Sequence, residues 1–451
     1  LSVTLLSTLA PAQTPSEPTP AAVFESARRR LLSDMERQPR YTCAQNVTRQ
    51  LYRTTSRKKQ SCSAIIAAFD ARKHDPPLAS WNRLQLDVAF VDNHEIHSWP
   101  GASRFSEDEI RCFIRYAPFG TGDFVAFITA IFGGSATVKF RDQSVKDARR
   151  LFEYTYEVPV ESSGYHVETG SGFITSAYSG SFALDPETAD IFELTVSTAE
   201  FPPSVLTACQ ARSQIEYARV NIHGRQVLIP RETRLRAIDR DGSQGLNIVS
   251  YSACREFTSK SVVGFDNPDL SAIGNAPAQP PGPESAPPHA LPARRKFKCR
   301  FVTPIDSETA AAGSPIDAIL LSPIPDQNGT VLARSGARIH ARLVRFAQYL
   351  KNPDYFQYVD YFEVGIRLES VEINGMNLPL NAVLDQPAIA PVFVTAQGDR
   401  SDPQRGLAPP LPREVGEFFF VRDRLQIRQL DSSWVTVAPD AINSAPESGA
   451  R

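Results

Sequence analysis

The sequence predicts an α+β protein: a large antiparallel half-barrel sheet with a few covering helices, followed by a second, all-β, barrel-like domain. Three observations point there. Helical spacing is confined to the stretch before Gly133-Gly134, and strand-like alternation runs from Thr137 to Phe257. It resumes from 296 to 438 after a segment, 266–295, that carries eight prolines and hardly a large apolar residue. Helices segregated ahead of a long run of strands are the α+β arrangement, and the Pro-rich stretch reads as an extended, semi-rigid spacer. The predicted division is a signal-peptide remnant and lead-in (1–19), a half-barrel domain (20–262), a linker (263–295), an all-β domain (296–440) and a disordered tail (441–451).

The elements follow in order. Thr19 and Pro20 make an N-cap and a first helical position, and Phe24, Ala27, Leu31 and Met35 recur at helical spacing until Pro39 forbids continuation. Tyr41, Cys43, Val47 and Leu51 share one face of a strand over 41–53, and Cys62 to Lys73 reads as a short helix. Leu84, Leu86, Val88 and Phe90 alternate as a strand should, with a turn at Asp92-Asn93. Ser106 with Glu109 is a capping box opening a helix to about Tyr116. Residues 123–132, DFVAFITAIF, form a helix apolar almost all round, stopped by Gly133-Gly134.

Six strands are then expected around 152–158, 172–184, 191–196, 214–222, 226–235 and 246–254, with turns at Asp185-Pro186 and His223-Gly224. Beyond the linker, strands are expected at 316–321, 337–346, 362–373 and 418–430, with hairpin turns at Asn328-Gly329 and Asn374-Gly375 and a long Pro- and Ala-rich loop over 386–413.

At 451 residues, 42% hydrophobic and 22% charged, the chain is neither disordered throughout nor a coiled coil nor a multi-spanning membrane protein. A formal charge of −2 offers no basic stripe for nucleic acid. Leu1 to Ala10 with Ala10-Pro11-Ala12 reads as a signal h-region and cleavage site, which places the protein in the periplasm or outside the cell. No later run approaches the 18 apolar residues of a transmembrane helix. The six cysteines fit an oxidising compartment, where spacing alone does not choose among the connectivities. Cys43 and Cys62 flank a polar, basic segment that reads as a turn and are expected to pair, and Cys209 and Cys254, both in strand-like stretches, make the second expected pair. Cys112 and Cys299 are then either free and buried or bridged between domains.

The succession of an amphipathic helix, a long strand, the hairpin LQLDVAFVDNHEIHSWP, an apolar helix and SFALDPETADIFELTV resembles the outer-membrane lipoprotein carrier superfamily of LolA-, LolB- and RseB-like proteins. The shared turn is Asp185-Pro186-Glu187-Thr188, and the resemblance covers residues 20–258. It implies an incomplete antiparallel barrel cupping a hydrophobic cavity under short helices, and a role in carrying lipoproteins or sensing envelope stress. More faintly, TAAAGSPIDAILLSPI, ARSGARIHARLV and VEINGMNLPL are similar to the β-rich C-terminal domains of TrbI-like conjugation-channel proteins, with Ser335-Gly336 in place of their Pro-x-Gly turn.

No catalytic set stands out. His94 and His97 lie three apart in a strand context, where residues face opposite sides, so an exposed hairpin anchored by Trp99 is preferred over a metal site. Ser56-Arg57-Lys58-Lys59 matches an acyltransferase S-x-x-K without its companion motifs, and Gly120-Thr121-Gly122 lacks the third glycine of a dinucleotide fingerprint. No cofactor is expected. An all-round apolar helix is either packed on two sides or closes a cavity. In the second case Phe124, Phe127, Ile128, Ile131 and Phe132, with the strand face Phe152, Tyr154 and Tyr156, touch ligand. The expected function is a non-enzymatic envelope protein binding a lipid, lipoprotein or apolar ligand, with an envelope partner docked through the C-terminal domain. Alternatives are a ligand-free envelope scaffold and an envelope hydrolase.

Overall fold

The structure, a computed structural model, describes residues 17–54, 60–72, 74–91, 94–102, 110, 125–169, 172–256, 291–351, 359–385 and 411–438. The signal-like start, Ser56 to Lys59, the Asp92-Asn93 turn, the capping box at Ser106, Cys112, Gly120 to Phe124, most of the linker, most of the Pro- and Ala-rich loop and the tail lie outside these residues.

Three α-helices stand among the described residues. α1 spans Pro20–Glu36 and is capped as its sequence dictates: the Thr19 hydroxyl accepts from the Ala22 amide at 3.3 Å. It buries Val23, Ala27 and Leu31. α2 spans Cys62–Asp70 behind the N-cap Ser61, and α3 spans Ala126–Phe132. In the first half of the chain the strands are β1 Tyr41–Tyr52, β2 Leu78–Val91, β3 His94–Ser98, β4 Thr137–Lys146, β5 Arg149–Val158, β6 His166–Thr169, β7 Gly172–Thr175, β8 Tyr178–Leu184, β9 Ile191–Thr198, β10 Ala208–Ile222, β11 Arg225–Asp239 and β12 Gln244–Glu256. The stretch expected as one strand over 172–184 is two, and β6 and β7 form a hairpin of their own.

The ladder order β4-β5-β8-β9-β10-β11-β12-β1-β2-β3 is antiparallel throughout. Register aligns one row of residues across it: Phe140, Tyr154, Phe182, Leu194, Ile215, Thr233, Val249, Val47 and Leu84 stand directly opposite one another from β4 to β2. Side chains along such a row share one face of the sheet. Here it is the helix-covered face, and it carries two apolar clusters. One packs α1 and α3 on β5, β8, β9 and β10. The other gathers Tyr41, Val47, Leu84, Trp99, Val249 and Tyr251 with Ala312, Val344 and Val415 from the second half.

The second half comprises β13 Lys296–Phe301, β14 Ile305–Asp306, β15 Pro315–Leu320, β16 Ile324–Pro325, β17 Val331–Ala333, β18 Arg338–Tyr349, β19 Tyr361–Ile373, β20 Met376–Pro379, β21 Ala382–Leu384, β22 Val415–Phe420, β23 Gln426–Ile427 and β24 Leu430–Thr436. Its main ladder runs β22-β19-β18-β15-β13-β24-β21. The 418–430 stretch expected as one strand divides between β22 and β23, the latter pairing with β14. Among the described residues the main sheet is large, open and antiparallel, with 18 strands and three helices, and three two-stranded sheets, β6-β7, β14-β23 and β16-β17, stand apart from it.

The two halves share that sheet. One edge of β2 is taken by β1 along its length, and the other is divided among three segments. Ser80–Asn82 pair with β18, Arg83 and Gln85 exchange backbone bonds with Ala312, and Asp87–Val91 pair with β3. No unpaired stretch of β2 is left to recruit another chain. Gly313 sits at φ +102°, where a Cβ would fall 2.1 Å from the Gln85 carbonyl oxygen, so only glycine allows this approach. Polar groups are buried at the junction. Arg49 Nε donates to Asn82 Oδ1 at 2.8 Å and Trp81 Nε1 to Gln348 Oε1 at 2.8 Å, while Glu363 accepts from Arg345 at 2.7 Å and from the Tyr349 hydroxyl at 2.8 Å. Burial, then the charge of Arg345, pushes the Arg49 guanidinium down to about 9.

The disulfides correct the expected pairing. The four expected cysteines are bridged, but as Cys43–Cys254 and Cys62–Cys209. The reason is sheet adjacency across long sequence distance: β1 lies beside β12, and the start of α2 packs with Ile238 on the start of β10. Cys299 is free and buried, and burial pushes its thiol up to about 11. Disulfides are compatible with a periplasmic or secreted protein.

Candidate functional site

Seven of the eight residues expected to touch ligand are described, and the structure brings them together. Phe127, Ile128, Ile131, Phe132, Phe152, Tyr154 and Tyr156 all lie within the cluster under α1 and α3, none more than 6% exposed. The packing is aromatic and close. Phe24 of α1 stacks on Phe132 at 5.7 Å, Phe132 meets Phe182 at 5.2 Å, and Tyr154 stacks on Phe182 at 5.1 Å. Two hydroxyls of this cluster find carbonyls: Tyr154 donates to Pro20 O at 2.7 Å and Tyr156 to Thr195 O at 2.7 Å. Gly180 makes the second bond possible, since a Cβ there would fall 1.9 Å from the same carbonyl. Burial pushes the Tyr154 phenol up to about 12 and Tyr156 higher still.

Open space lies beside this packed region, at the seam between the two clusters. A pocket of about 560 Å³ is bounded by the C-terminal half of α1 (Leu31, Asp34, Met35, then Arg37 to Pro39), by Ile128 of α3, and by Arg225 to Leu228 at the start of β11. Its size falls within the roughly 300–1,000 Å³ of small-molecule sites. Met35 packs against both clusters. Val227 belongs to one, and its neighbour Leu228 packs against the other. Among the described residues, Ile128 is the one expected ligand residue that lines this pocket.

Met35 stood in the apolar stripe of the first helix. The signal that could have found the rest is the consecutive pair Val227-Leu228 after the His223-Gly224 turn. Neighbouring strand residues face opposite ways, so two large apolar side chains in succession imply burial on both sides.

An ion-pair chain ties α1 to the sheet at the pocket rim. Arg219 Nη2 donates to Asp34 at 2.6 Å and to Asp190 at 2.7 Å, and Arg30 lies 3.4 Å from Asp190 and donates to Thr188 O. Burial opposes the Arg219 charge, but hydrogen bonds and charge from Asp190 and Asp34 outweigh it and raise its pKa. Asp190 and Thr188 belong to the Asp185-Pro186 turn, where Asp185 Oδ1 accepts from the Glu187 and Thr188 amides at 2.8 and 3.2 Å. A second, polar bowl of about 430 Å³ opens on the far side of this chain, among Asp147, Arg149, Asp190, Phe192, Glu216 and Arg231.

Two polar atoms on the helix-covered face stand apart from this satisfied pattern. Among the described residues Gln45 Oε1 and Thr233 Oγ1 are buried without a hydrogen-bond partner, although Gln45 Nε2 reaches the Tyr251 hydroxyl at 3.3 Å. Thr233 occupies the point in the nine-strand row where the aromatic cluster gives way to the other. His97 is buried in β3, which pairs with β2. Among the described residues no group of three potential metal ligands converges, and no helix is long and apolar enough to cross a membrane.

No family model and no curated protein matches the sequence. Three solved structures are similar to it. A putative outer membrane lipoprotein-sorting protein domain from Vibrio parahaemolyticus is 9% identical, with 52% of this chain and 94% of that chain covered and a TM-score of 0.25. A DUF1329 family protein from Desulfovibrio piger is 8% identical, with 54% and 95% covered and a TM-score of 0.25. A LolA superfamily protein from Nitrosomonas europaea is 11% identical, with 51% and 94% covered and a TM-score of 0.22.

Proposed function

We propose that this chain is a non-enzymatic, exported envelope protein that binds the apolar chain of a lipid or lipoprotein in the seam pocket of a half-barrel domain, residues 20–262. The observation that carries this reading is the pocket itself: space bounded by Leu31, Met35, Ile128, Val227 and Leu228 at the margin of two helices covering an open sheet. Burying one such side chain's worth of apolar surface contributes roughly 1.5–3 kcal/mol, so a chain touching several of them is held against the cost of ordering it. In this reading Ile128 contacts ligand, while the other expected residues form the wall that gives the pocket its shape. Residues 296–440, a second β-module, complete the edge of β2 and turn their remaining surface to an envelope partner.

The test is native mass spectrometry of the full chain made in an oxidising bacterial compartment. The full chain is required because the second half occupies part of the β2 edge. An adduct of lipid mass that is lost in Leu228→Asp, with the circular dichroism unchanged, is the expected result. A ligand-free mass in lipid-loaded samples overturns the reading. A second reading, an envelope scaffold with no ligand, is favoured by the packing of the seven expected ligand residues as core, and that ligand-free outcome would support it.

A further inference from the structure

The charges at the seam pocket are unequal. Among the described residues three charged ones line it: Asp34, Arg37 and Arg225. Asp34 is already engaged by Arg219 at 2.6 Å and brings no free negative charge to the rim. Arg37 is held against the last turn of α1, its Nε donating to the Ser33 carbonyl at 3.3 Å and its Nη2 to the Ser33 hydroxyl. Arg225 is exposed at the first residue of β11, fixed by the turn His223-Gly224 at φ +49° and +83°, and among the described residues it has no ion-pair partner. The C-terminal end of α1 contributes about half a negative charge to the same rim. The balance still favours an anion by more than one charge. The neighbouring polar bowl, with four acidic and three basic residues in its lining, carries no such bias.

We propose that the seam pocket takes an amphiphile with one apolar chain and an anionic head group, phosphate or carboxylate, placed between Arg37 and Arg225. This rests on the lipid-binding reading and adds the class of head group to it. The apolar floor holds the chain in either case. The two guanidiniums lie at the solvent end, where they contact an anion without the loss of hydration that a buried pair suffers.

The test compares three probes of equal chain length on the full protein, below their critical micelle concentrations: palmitate, palmitoyl lysophosphatidic acid and the uncharged monopalmitoylglycerol. Inorganic phosphate is titrated separately. At low salt both anionic probes are expected to bind roughly five- to tenfold tighter than the neutral one, with the preference shrinking at 0.5 M salt. Arg37→Gln with Arg225→Gln, two exposed positions, is expected to bring that ratio close to one by weakening the two anionic probes. If only one anionic probe shows the preference, carboxylate and phosphate are not read alike and the proposal narrows to the one that binds. Equal affinity for all three probes in the parent protein overturns the head-group assignment and leaves lipid binding standing. Binding of inorganic phosphate as tight as that of the anionic amphiphiles overturns the role of the chain. No binding of any amphiphile overturns both this proposal and the reading it rests on.

Discussion

On the two sides of Thr233, the same face of the same sheet is completed differently. Toward β5 and β8 it is filled by rings from Phe24, Phe132, Tyr154 and Phe182, and the buried hydroxyls of Tyr154 and Tyr156 each reach a backbone carbonyl. Toward β1 and β2 it is closed by Trp99 and by Ala312, Val344 and Val415 from the far half of the chain, and it holds Gln45 Oε1 and Thr233 Oγ1 without partners. The filled side behaves as core in the ordinary sense, close-packed and polar-satisfied. The other side and the seam between them hold the space and the unmet hydrogen-bonding capacity. A helix apolar on every side is therefore packed as core in this molecule, and the open space lies at the margin of that packing.

The largest expected effect breaks the filled side. Phe132→Ala removes a ring with 0% exposure and is expected to cost about 3–5 kcal/mol in urea unfolding. Phe132 does not line the seam pocket, so amphiphile affinity in the folded fraction should change less than twofold. Affinity lost in step with stability would mean that ligand enters the aromatic side too, and the contrast would fail.

Next is the closure of the other side by the second half. Glu363→Gln leaves Arg345 buried opposite an uncharged partner, and breaking such a pair costs about 3 kcal/mol. Because β2 and β18 share a ladder, circular dichroism and tryptophan fluorescence should shift together as one transition. Two separated transitions would show that the halves fold independently and that the junction contributes little to the first.

A smaller effect belongs to the rim. Asp34→Asn removes one acid from the Arg219 bridge, and with Asp34 39% exposed the expected loss is about 1 kcal/mol. Binding of an anionic amphiphile should hold or tighten, since the rim becomes more positive. A weakened affinity would instead show that the α1 tie shapes the pocket.

The local parts of this architecture could be read from sequence because local rules govern them. Thr19-Pro20 starts α1, and Asn374-Gly375 joins β19 to β20 by pairing Ile373 with Met376. Asp185 builds its turn from its own side chain. What could not be read depends on which distant strands become neighbours. The pairing of Cys43 with Cys254 spans 211 residues, and the meeting of Trp81 with Gln348 spans 267. No periodicity within either segment encodes its partner. The seam pocket belongs to the same class, since Met35, Ile128 and Val227 each look like ordinary core in their own element and define space only together.

The smallest effect tests the boundary itself. Thr233 stands between Ile215 and Val249 in a row that is otherwise apolar or aromatic, and its hydroxyl has no partner among the described residues. A buried hydroxyl without a hydrogen bond destabilises, and an apolar group of the same shape removes that penalty. Thr233→Val should therefore stabilise the ligand-free protein by about 0.5–1 kcal/mol in thermal unfolding. The same variant with amphiphile bound discriminates further. If the ligand stops at the seam, the stabilisation carries over unchanged to the bound protein. If a donor on the ligand reaches the Thr233 hydroxyl, the variant binds more weakly while melting higher in the free state, and the polar atoms toward β1 become part of the binding site.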